Sequence, residues 1–255
     1  MKIAIVTGAS SGIGKEFIMQ LADDESLDQI WAIARRYDRL NQLQTELPSL
    51  IRPLALDLLR PESLYTIRSL LASENPEVSV LVNAAGFGKY GTYLDLSEEE
   101  INQIIDLNCK AGIHMTYACL PYMHQHSRVI MLGSSSAYQP LPEFNIYASA
   151  KVFIVHFSRA LNMELKERSI TVTAVCPGYV RTEFFLVAQN GQGADKGRRL
   201  KPMYEAADVV KKALLDSKKG RDMSVLGFQI KLLRLLSKIL PHRLVMKVWL
   251  SSKNR

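Results

Sequence analysis

Lys2-Ile3-Ala4-Ile5-Val6-Thr7-Gly8-Ala9-Ser10-Ser11-Gly12-Ile13-Gly14 stands at the start of the chain, and the fold turns on how it is read. Residues 2–7 form a short, β-branched apolar run of the kind that buried strands use. Three glycines then crowd the point where the strand gives way to a helix over residues 13–22. Glycine there lets backbone N–H groups approach a pyrophosphate, and the dipole of the following helix favours the anion. Thr7, Gly8, Ser10, Ser11, Gly12, Ile13 and Gly14 are therefore candidate cofactor-binding residues. A glycine-rich turn can also join strand to helix with no ligand, and this spacing is not the common GxGxxG. The rest of the chain must decide.

Working outward, apolar runs at 29–34, 51–56, 78–83, 127–133 and 170–177 have the length and β-branching of further buried strands. Helical stretches at 38–46, 61–73, 97–124 and 147–167 lie between them, so the order is βαβ repeated. That order predicts an α/β fold, a doubly wound Rossmann-type parallel sheet in a single domain. Residues 1–226 are read as the dinucleotide-binding and catalytic domain, and 227–255 as a basic amphipathic helical extension. One long connection, 183–203, carries Gly191, Gly193 and Gly197 with mixed charge and is read as a lid over a site.

A 255-residue chain with 47% apolar and 22% charged residues has the composition of a folded globular protein, which excludes the disordered and fibrous classes. Its formal charge of +7 is not spread evenly. Residues 227–255 hold seven Lys and Arg and no Asp or Glu, leaving 25 basic and 25 acidic residues in 1–226. The balanced main domain argues against a nucleic-acid-binding surface. Cys109, Cys119 and Cys176 have neither the even count of a disulfide framework nor CxxC spacing, which fits a reducing cytoplasm and no zinc site. Glycines break the first apolar run before a signal-peptide core can form. No apolar run reaches the roughly 20 residues of a spanning helix.

The chemistry-bearing residues sit where the βα units end. After the second strand come Arg35 and Arg36, where an acidic residue would hold a ribose 2′-OH and arginine would accommodate a 2′-phosphate. Paired guanidiniums with no carboxylate beside them in sequence favour NADP(H) over NAD(H). Asp57, closing the third strand, can accept from an adenine amino group or simply cap a loop. Tyr147 and Lys151 are four apart on a helix and share a face, where Lys151 is expected to lower the pKa of Tyr147 by stabilising phenolate. Ten tyrosines make such a pair an expected accident, so its context matters. That context is Gly133-Ser134-Ser135-Ser136 at a strand end, where a hydroxyl can polarise a substrate carbonyl; the residues themselves do not rank the three serines. Asn108, an unfavourable residue inside a long helix, is either functional or solvent-facing.

Together these pieces resemble the short-chain dehydrogenase/reductase family over residues 1 to about 226. Thr7 to Gly14 is similar to its TGxxxGxG loop, Asn83-Ala84-Ala85-Gly86 to its NAG-type strand end, Tyr147 with Lys151 to its YxxxK pair, and Pro177-Gly178 with Thr182 to its PG turn. The resemblance implies a catalytic tetrad of Asn108, Ser134, Tyr147 and Lys151, with Tyr147 exchanging the proton and hydride moving to or from a nicotinamide. It also implies cofactor contacts from Leu58, Asn83, Ala84, Gly86, Tyr147, Lys151, Pro177, Gly178, Val180 and Thr182, and a homodimer or homotetramer. Ser11 stands where NADP-preferring relatives often carry a basic residue, so that preference rests on Arg35 and Arg36, and NAD(H) is kept as the lesser alternative.

Phe87, Tyr138, Leu141, Tyr179 and Phe184 would suit a small hydrophobic carbonyl or alcohol substrate, steroid-like, acyl or aromatic, with Ser134, Tyr147, Tyr179 and Phe184 contacting it. In the tail, 228–240 and 244–250 are apolar helical stretches broken by Pro241, and Lys231, Arg234 and Lys238 share a face. Such helices lie in a membrane interface or pack on their own enzyme or a neighbouring subunit. The expected function is an NADP-dependent oxidoreductase acting on CH–OH groups. A non-catalytic NADP(H)-binding sensor or scaffold is the alternative, against which an intact Tyr147 and Lys151 weigh.

Overall fold

The computed structural model describes residues 1–24, 26–188 and 203–251. Seven parallel strands form the central sheet: β1 (Lys2–Thr7), β2 (Gln29–Ala34), β3 (Ile51–Ala55), β4 (Glu77–Asn83), β5 (Arg128–Leu132), β6 (Thr171–Val175) and the edge strand β9 (Met223–Ser224). Tyr179–Val180 (β7) and Met203–Tyr204 (β8) make a separate two-stranded parallel ladder. The helices are α1 (Gly12–Leu21), α2 (Tyr37–Glu46), α3 (Pro61–Glu74), α4 (Glu98–Ile105), α5 (Ala111–Cys119), α6 (Asn145–Glu164), α7 (Phe184–Ala188), α8 (Ala206–Lys218), α9 (Phe228–Ile239) and α10 (His242–Ser251).

Alternation in β1 explains the layering. Ala4 and Val6 face a core with Phe17 and Ile18 of α1, Leu40 and Leu43 of α2, and Val209 and Val210 of α8. Ile3 and Ile5 face the opposite core with Ile67 and Leu71 of α3, Met115 of α5 and Ile154 of α6. A strand buried on both faces must be apolar throughout, which is why β1 and β2 read as unbroken runs. The sheet order is β3-β2-β1-β4-β5-β6-β9, so the chain reverses direction between β1 and β4. A crevice opens beyond the carboxyl ends of strands at such a switch point.

The six strands read from sequence are present, each within two residues of the expected ends. Two departures matter. The expected helix 97–124 runs as α4 and α5 joined through a π-helical turn at Asp106–Lys110. Helix α8 and strand β9, to which the sequence reading assigned nothing, extend the sheet and cover its first core. In the tail, α9 and α10 break at Pro241 as expected, and their inner sides pack against the enzyme, one of the two arrangements expected of them, with Ile230 in a cluster with Val155 and Cys176 and Trp249 against the cluster of Phe144 and Tyr147. Of the expected lid at 183–203, residues 189–202 lie outside the described residues.

Candidate active site

A cavity of about 390 Å³ occupies the crevice, within the range of small-molecule sites. Its floor is the turn between β1 and α1. Gly8 has φ +68° and Gly12 φ +53°, conformations open to glycine. A Cβ on Gly14 would lie 2.2 Å from the Gly8 carbonyl oxygen, and one on Gly8 2.8 Å from the Ala85 nitrogen. Glycine at these places lets the turn close on its own backbone and on that of Ala84 and Ala85, which brings the start of α1 to the cavity. Gly8, Ser10, Ser11, Gly12, Ile13, Gly14, Arg35, Arg36, Asp57, Leu58, Ala84 and Gly86 all line it, as do Pro177, Gly178, Val180 and Thr182 across the crevice.

Thr7, Asn83 and Asn108 sit behind that wall. Thr7 Oγ1 accepts from the Ala84 and Ala85 N–H groups at 3.1 Å each, tying the end of β1 to the end of β4. Asn83 donates to Thr116 Oγ1 at 3.1 Å. Asn108 Nδ2 donates to Phe87 O at 2.7 Å and to Ile104 O at 2.9 Å. The second of these bonds takes up a helix carbonyl where the ladder widens into the π turn, a feature that recurs at functional sites. Thr7, Asn83, Asn108 and Lys151 line a second cavity of about 10 Å³ next to the first, the size of about one water. Asn83 Oδ1 and Asn108 Oδ1 are buried with no hydrogen-bond donor among the described residues.

At the far end, the Ser134 side chain lies close enough to the Tyr147 hydroxyl to favour its ionised form, which separates Ser134 from its neighbours. Ser134 Oγ also accepts from the Ser136 N–H at 3.1 Å. Ser136 Oγ is buried without a partner among the described residues, and the Ser135 N–H is bound to Pro177 O at 2.8 Å. Lys151 differs from expectation. Its ammonium donates to Leu132 O at 2.7 Å and lies 5.5 Å from the Tyr147 ring centroid. Burial pushes the Tyr147 phenol well above the usual tyrosine range, against a smaller lowering from Ser134, and burial brings Lys151 down to about 8. The expected lowering of Tyr147 by Lys151 is thus corrected: the buried surroundings, not the cation, set the level of the phenol in the free protein.

Aromatic rings wall this end. Tyr90 stacks on Phe144 at 4.1 Å, Phe144 lies 4.6 Å from Tyr147, and Tyr147 lies 5.3 Å from Phe184. Tyr179 and Phe185 continue the chain at 5.7 Å. Ile230 and Leu233 of α9 and Trp249 of α10 close it, with Trp249 Nε1 donating to Pro142 O at 3.0 Å. Tyr138, expected at this site, instead packs beside Val155 and Val225 and turns its hydroxyl to Met223.

At the other end Arg36 donates to Ser10 Oγ at 3.0 Å and Ser11 Oγ at 2.7 Å and pairs with Glu183 at 3.0 Å. Arg39 pairs with the same carboxylate at 2.7 Å, and the two guanidiniums hold Glu183 below the usual carboxylate range. Sequence reading missed Arg39, although it stands in the first turn of α2, three residues after Arg36 at the helix cap. It also missed Glu183, which reaches Arg36 from 147 residues away and leaves no local signal. Tyr90, Phe144, Ile230, Leu233 and Trp249 were likewise brought to the cavity by tertiary packing alone.

A family model described as short chain dehydrogenase matches residues 2–192. A short-chain type dehydrogenase/reductase of Sinorhizobium fredii is 33% identical over 198 residues, covering 76% of each chain. The 3-oxoacyl-[acyl-carrier-protein] reductase of Escherichia coli is 30% identical over 195 residues, covering 76% of this chain and 79% of that one. A solved short-chain dehydrogenase from Sphingobium yanoikuyae in complex with NADPH superposes with a TM-score of 0.79 at 26% identity, over 97% of this chain and 96% of that chain. The chain belongs to the short-chain dehydrogenase/reductase family and is an NAD(P)-dependent oxidoreductase acting on carbonyl and alcohol groups.

Proposed function

We propose that the protein is an NADP(H)-dependent carbonyl reductase or alcohol dehydrogenase for a hydrophobic substrate, with Tyr147 as the residue that exchanges the proton. One observation carries this reading: a single cavity joins the glycine cradle and Arg36 at one end to Tyr147, Ser134 and a wall of aromatic rings at the other. The cradle fits a dinucleotide, since glycines at 8 and 14 let the turn pack tightly on the backbone of Gly8, Ala84 and Ala85 while the start of a helix lines the cavity beside it. When bound, the nicotinamide supplies or accepts the hydride.

The chain's own residues do the rest. Ser134 donates a hydrogen bond to the substrate carbonyl oxygen, and Tyr147 passes its proton to the same oxygen during reduction. Because burial keeps the phenol protonated, Tyr147 stands loaded for that step. Lys151 holds the nicotinamide ribose, and Asn108 and Lys151 share the small cavity through which a water resupplies the proton. Arg36, steadied by Ser10 and Ser11, binds the 2′-phosphate together with Arg39. The NADPH complex of the Sphingobium relative supports that choice. NAD(H) remains the lesser alternative, because a cofactor without the phosphate leaves the Glu183 pair intact. Phe184, Tyr179, Tyr90 and Trp249 offer faces and edges to an apolar substrate and few polar groups to orient it.

Oxidation of NADPH against a panel of ketones graded by apolar size tests the reading, with wild type and Tyr147→Phe compared. The variant is expected to bind NADPH normally and to lose turnover. Undiminished turnover refutes the role of Tyr147, and equal activity on small polar ketones refutes the substrate class.

A further inference from the structure

Helix α9 has two opposed faces. Successive residues turn by about 100°, which puts Ile230, Leu233, Arg234 and Ser237 on the side facing the enzyme, where Ile230 and Ser237 are buried. On the other side Phe228, Leu232, Leu235, Leu236 and Ile239 project into solvent, Phe228 77% and Ile239 71% exposed. The usual arrangement of a surface helix, apolar inward and polar outward, is inverted. Helix α10 repeats the pattern: Trp249 turns to the cavity, while Leu244 and Val248, the latter 61% exposed, turn out. A run of large exposed apolar side chains on adjacent elements marks a contact surface rather than scattered surface leucines.

Charge identifies the partner. Lys231 and Lys238 lie along one edge of the outward stripe of α9, Arg243 and Lys247 along one edge of that of α10, and all four are exposed. None of them forms an ion pair among the described residues, and the whole stretch 227–255 contains no acidic residue. A second copy of the chain is a poor occupant. A two-fold contact sets the same patch against itself, bringing these cations onto their own images with no carboxylate on either side. An apolar stripe with cations along its edge instead matches a lipid surface, with the side chains among the acyl ends of the headgroup layer and the cations at anionic headgroups. No helix among the described residues is long and apolar enough to cross a membrane, so the contact is peripheral.

We infer that the outer faces of α9 and α10 dock the enzyme on a membrane containing anionic lipid. The inner faces of the same helices, through Ile230, Leu233 and Trp249, wall the substrate end of the cavity, and α7 beside them presents the exposed Leu186 and Val187. Docking therefore sets the apolar end of the cavity next to the bilayer, from which a lipid-dissolved ketone or alcohol would enter. This last point rests on the proposed substrate class; the docking itself does not.

The test is sedimentation of the full chain with phosphatidylcholine vesicles, with and without about one third phosphatidylglycerol. Wild type is expected to pellet with the anionic vesicles and to remain in solution with the neutral ones. Lys231→Glu with Lys238→Glu should weaken binding by roughly fivefold or more per cation. Leu235→Asp with Ile239→Asp, both at exposed positions, should abolish it while leaving circular dichroism and cofactor binding unchanged. Wild type staying in solution with both vesicle types overturns the inference. So does a solution dimer that Leu235→Asp with Ile239→Asp separates into monomers, which would make the face a contact between copies. Neither readout uses turnover, so failure of the oxidoreductase assignment would leave the vesicle result standing on its own.

Discussion

Glu183 occupies the guanidiniums proposed to bind the 2′-phosphate, so its removal should sharpen the preference for NADP(H). Its two pairs, with Arg36 at 3.0 Å and Arg39 at 2.7 Å, are exposed on both sides, with 43–45% of the side-chain surface accessible. Pairs of this kind are worth roughly 0.2–1 kcal/mol each, so a phosphate that displaces the carboxylate forfeits about 1 kcal/mol. Glu183→Gln should therefore bind NADP+ about fivefold more tightly, with NAD+ affinity changed less than twofold. Arg39→Ala removes a cation whose charge-assisted bonds to phosphate contribute roughly 1.5–3 kcal/mol. It should weaken NADP+ binding by roughly 10- to 150-fold and again leave NAD+ nearly untouched. Arg39 is the cleaner probe, because Arg36 also steadies Ser10 and Ser11 of the cradle. Calorimetric titration of both cofactors into the three proteins decides the matter. Equal changes for NAD+ and NADP+, or weaker NADP+ binding by Glu183→Gln, would refute the assignment of this corner to the 2′-phosphate.

Three further outcomes follow from the geometry. Burial lowers Lys151 from 10.5 to about 8 in the folded protein, so between those values the unfolded chain binds the extra proton and stability rises with pH. Relative to Lys151→Met, wild type should gain about 3 kcal/mol from pH 8 to 10.5 in urea unfolding, and a flat difference refutes the buried ammonium. Gly14→Ala should cost on the order of 3 kcal/mol and abolish cofactor binding, since its Cβ would meet the Gly8 carbonyl oxygen at 2.2 Å; thermal unfolding with a cofactor titration checks both. Trp249→Ala opens one wall of the cavity and frees Pro142 O. It should raise KM for bulky apolar ketones with little change in NADPH affinity, and steady-state kinetics at saturating cofactor reads the split.

The legibility of this chain followed the range of its interactions. Strands β1 and β2 were readable because burial on both faces demands unbroken apolar runs, and the glycine turn because backbone clearance admits no other residue at Gly14. The pairing of Tyr147 with Ser134 was only implied by resemblance, since nothing local distinguishes Ser134 from Ser135 or Ser136. All three line the cavity, and what sets Ser134 apart in the structure is that its side chain lies against the Tyr147 phenol. Helix α8 was legible and overlooked, its inward stripe of Val209, Val210 and Ala213 being short between charges. Glu183 and Trp249 were not legible at all, because their partners lie more than 100 residues away in the chain.

Charge state was the least legible property, and the error is instructive. Four residues of helix put Lys151 on the same face as Tyr147, and from spacing alone the cation ought to draw the phenol towards ionisation. Spacing cannot report the dielectric. Tyr147 and Lys151 are both enclosed, 7% and 3% exposed, and enclosure penalises each charged form separately, raising the phenol and lowering the ammonium. Enclosure thus opposes the pull that spacing alone would assign to Lys151, whose ammonium spends its hydrogen bond on Leu132 O. A phenol raised in this way carries its proton at neutral pH but is a weaker acid than a free tyrosine. In the direction of alcohol oxidation the same phenol must first lose that proton, through Ser134 or through the small cavity shared by Lys151 and Asn108. Removing the Asn108 side chain should on this account slow turnover in both directions, since the phenol must be reloaded after each reduction and unloaded before each oxidation. It should also raise the solvent deuterium isotope effect, a change that a purely structural role for the π turn would not produce.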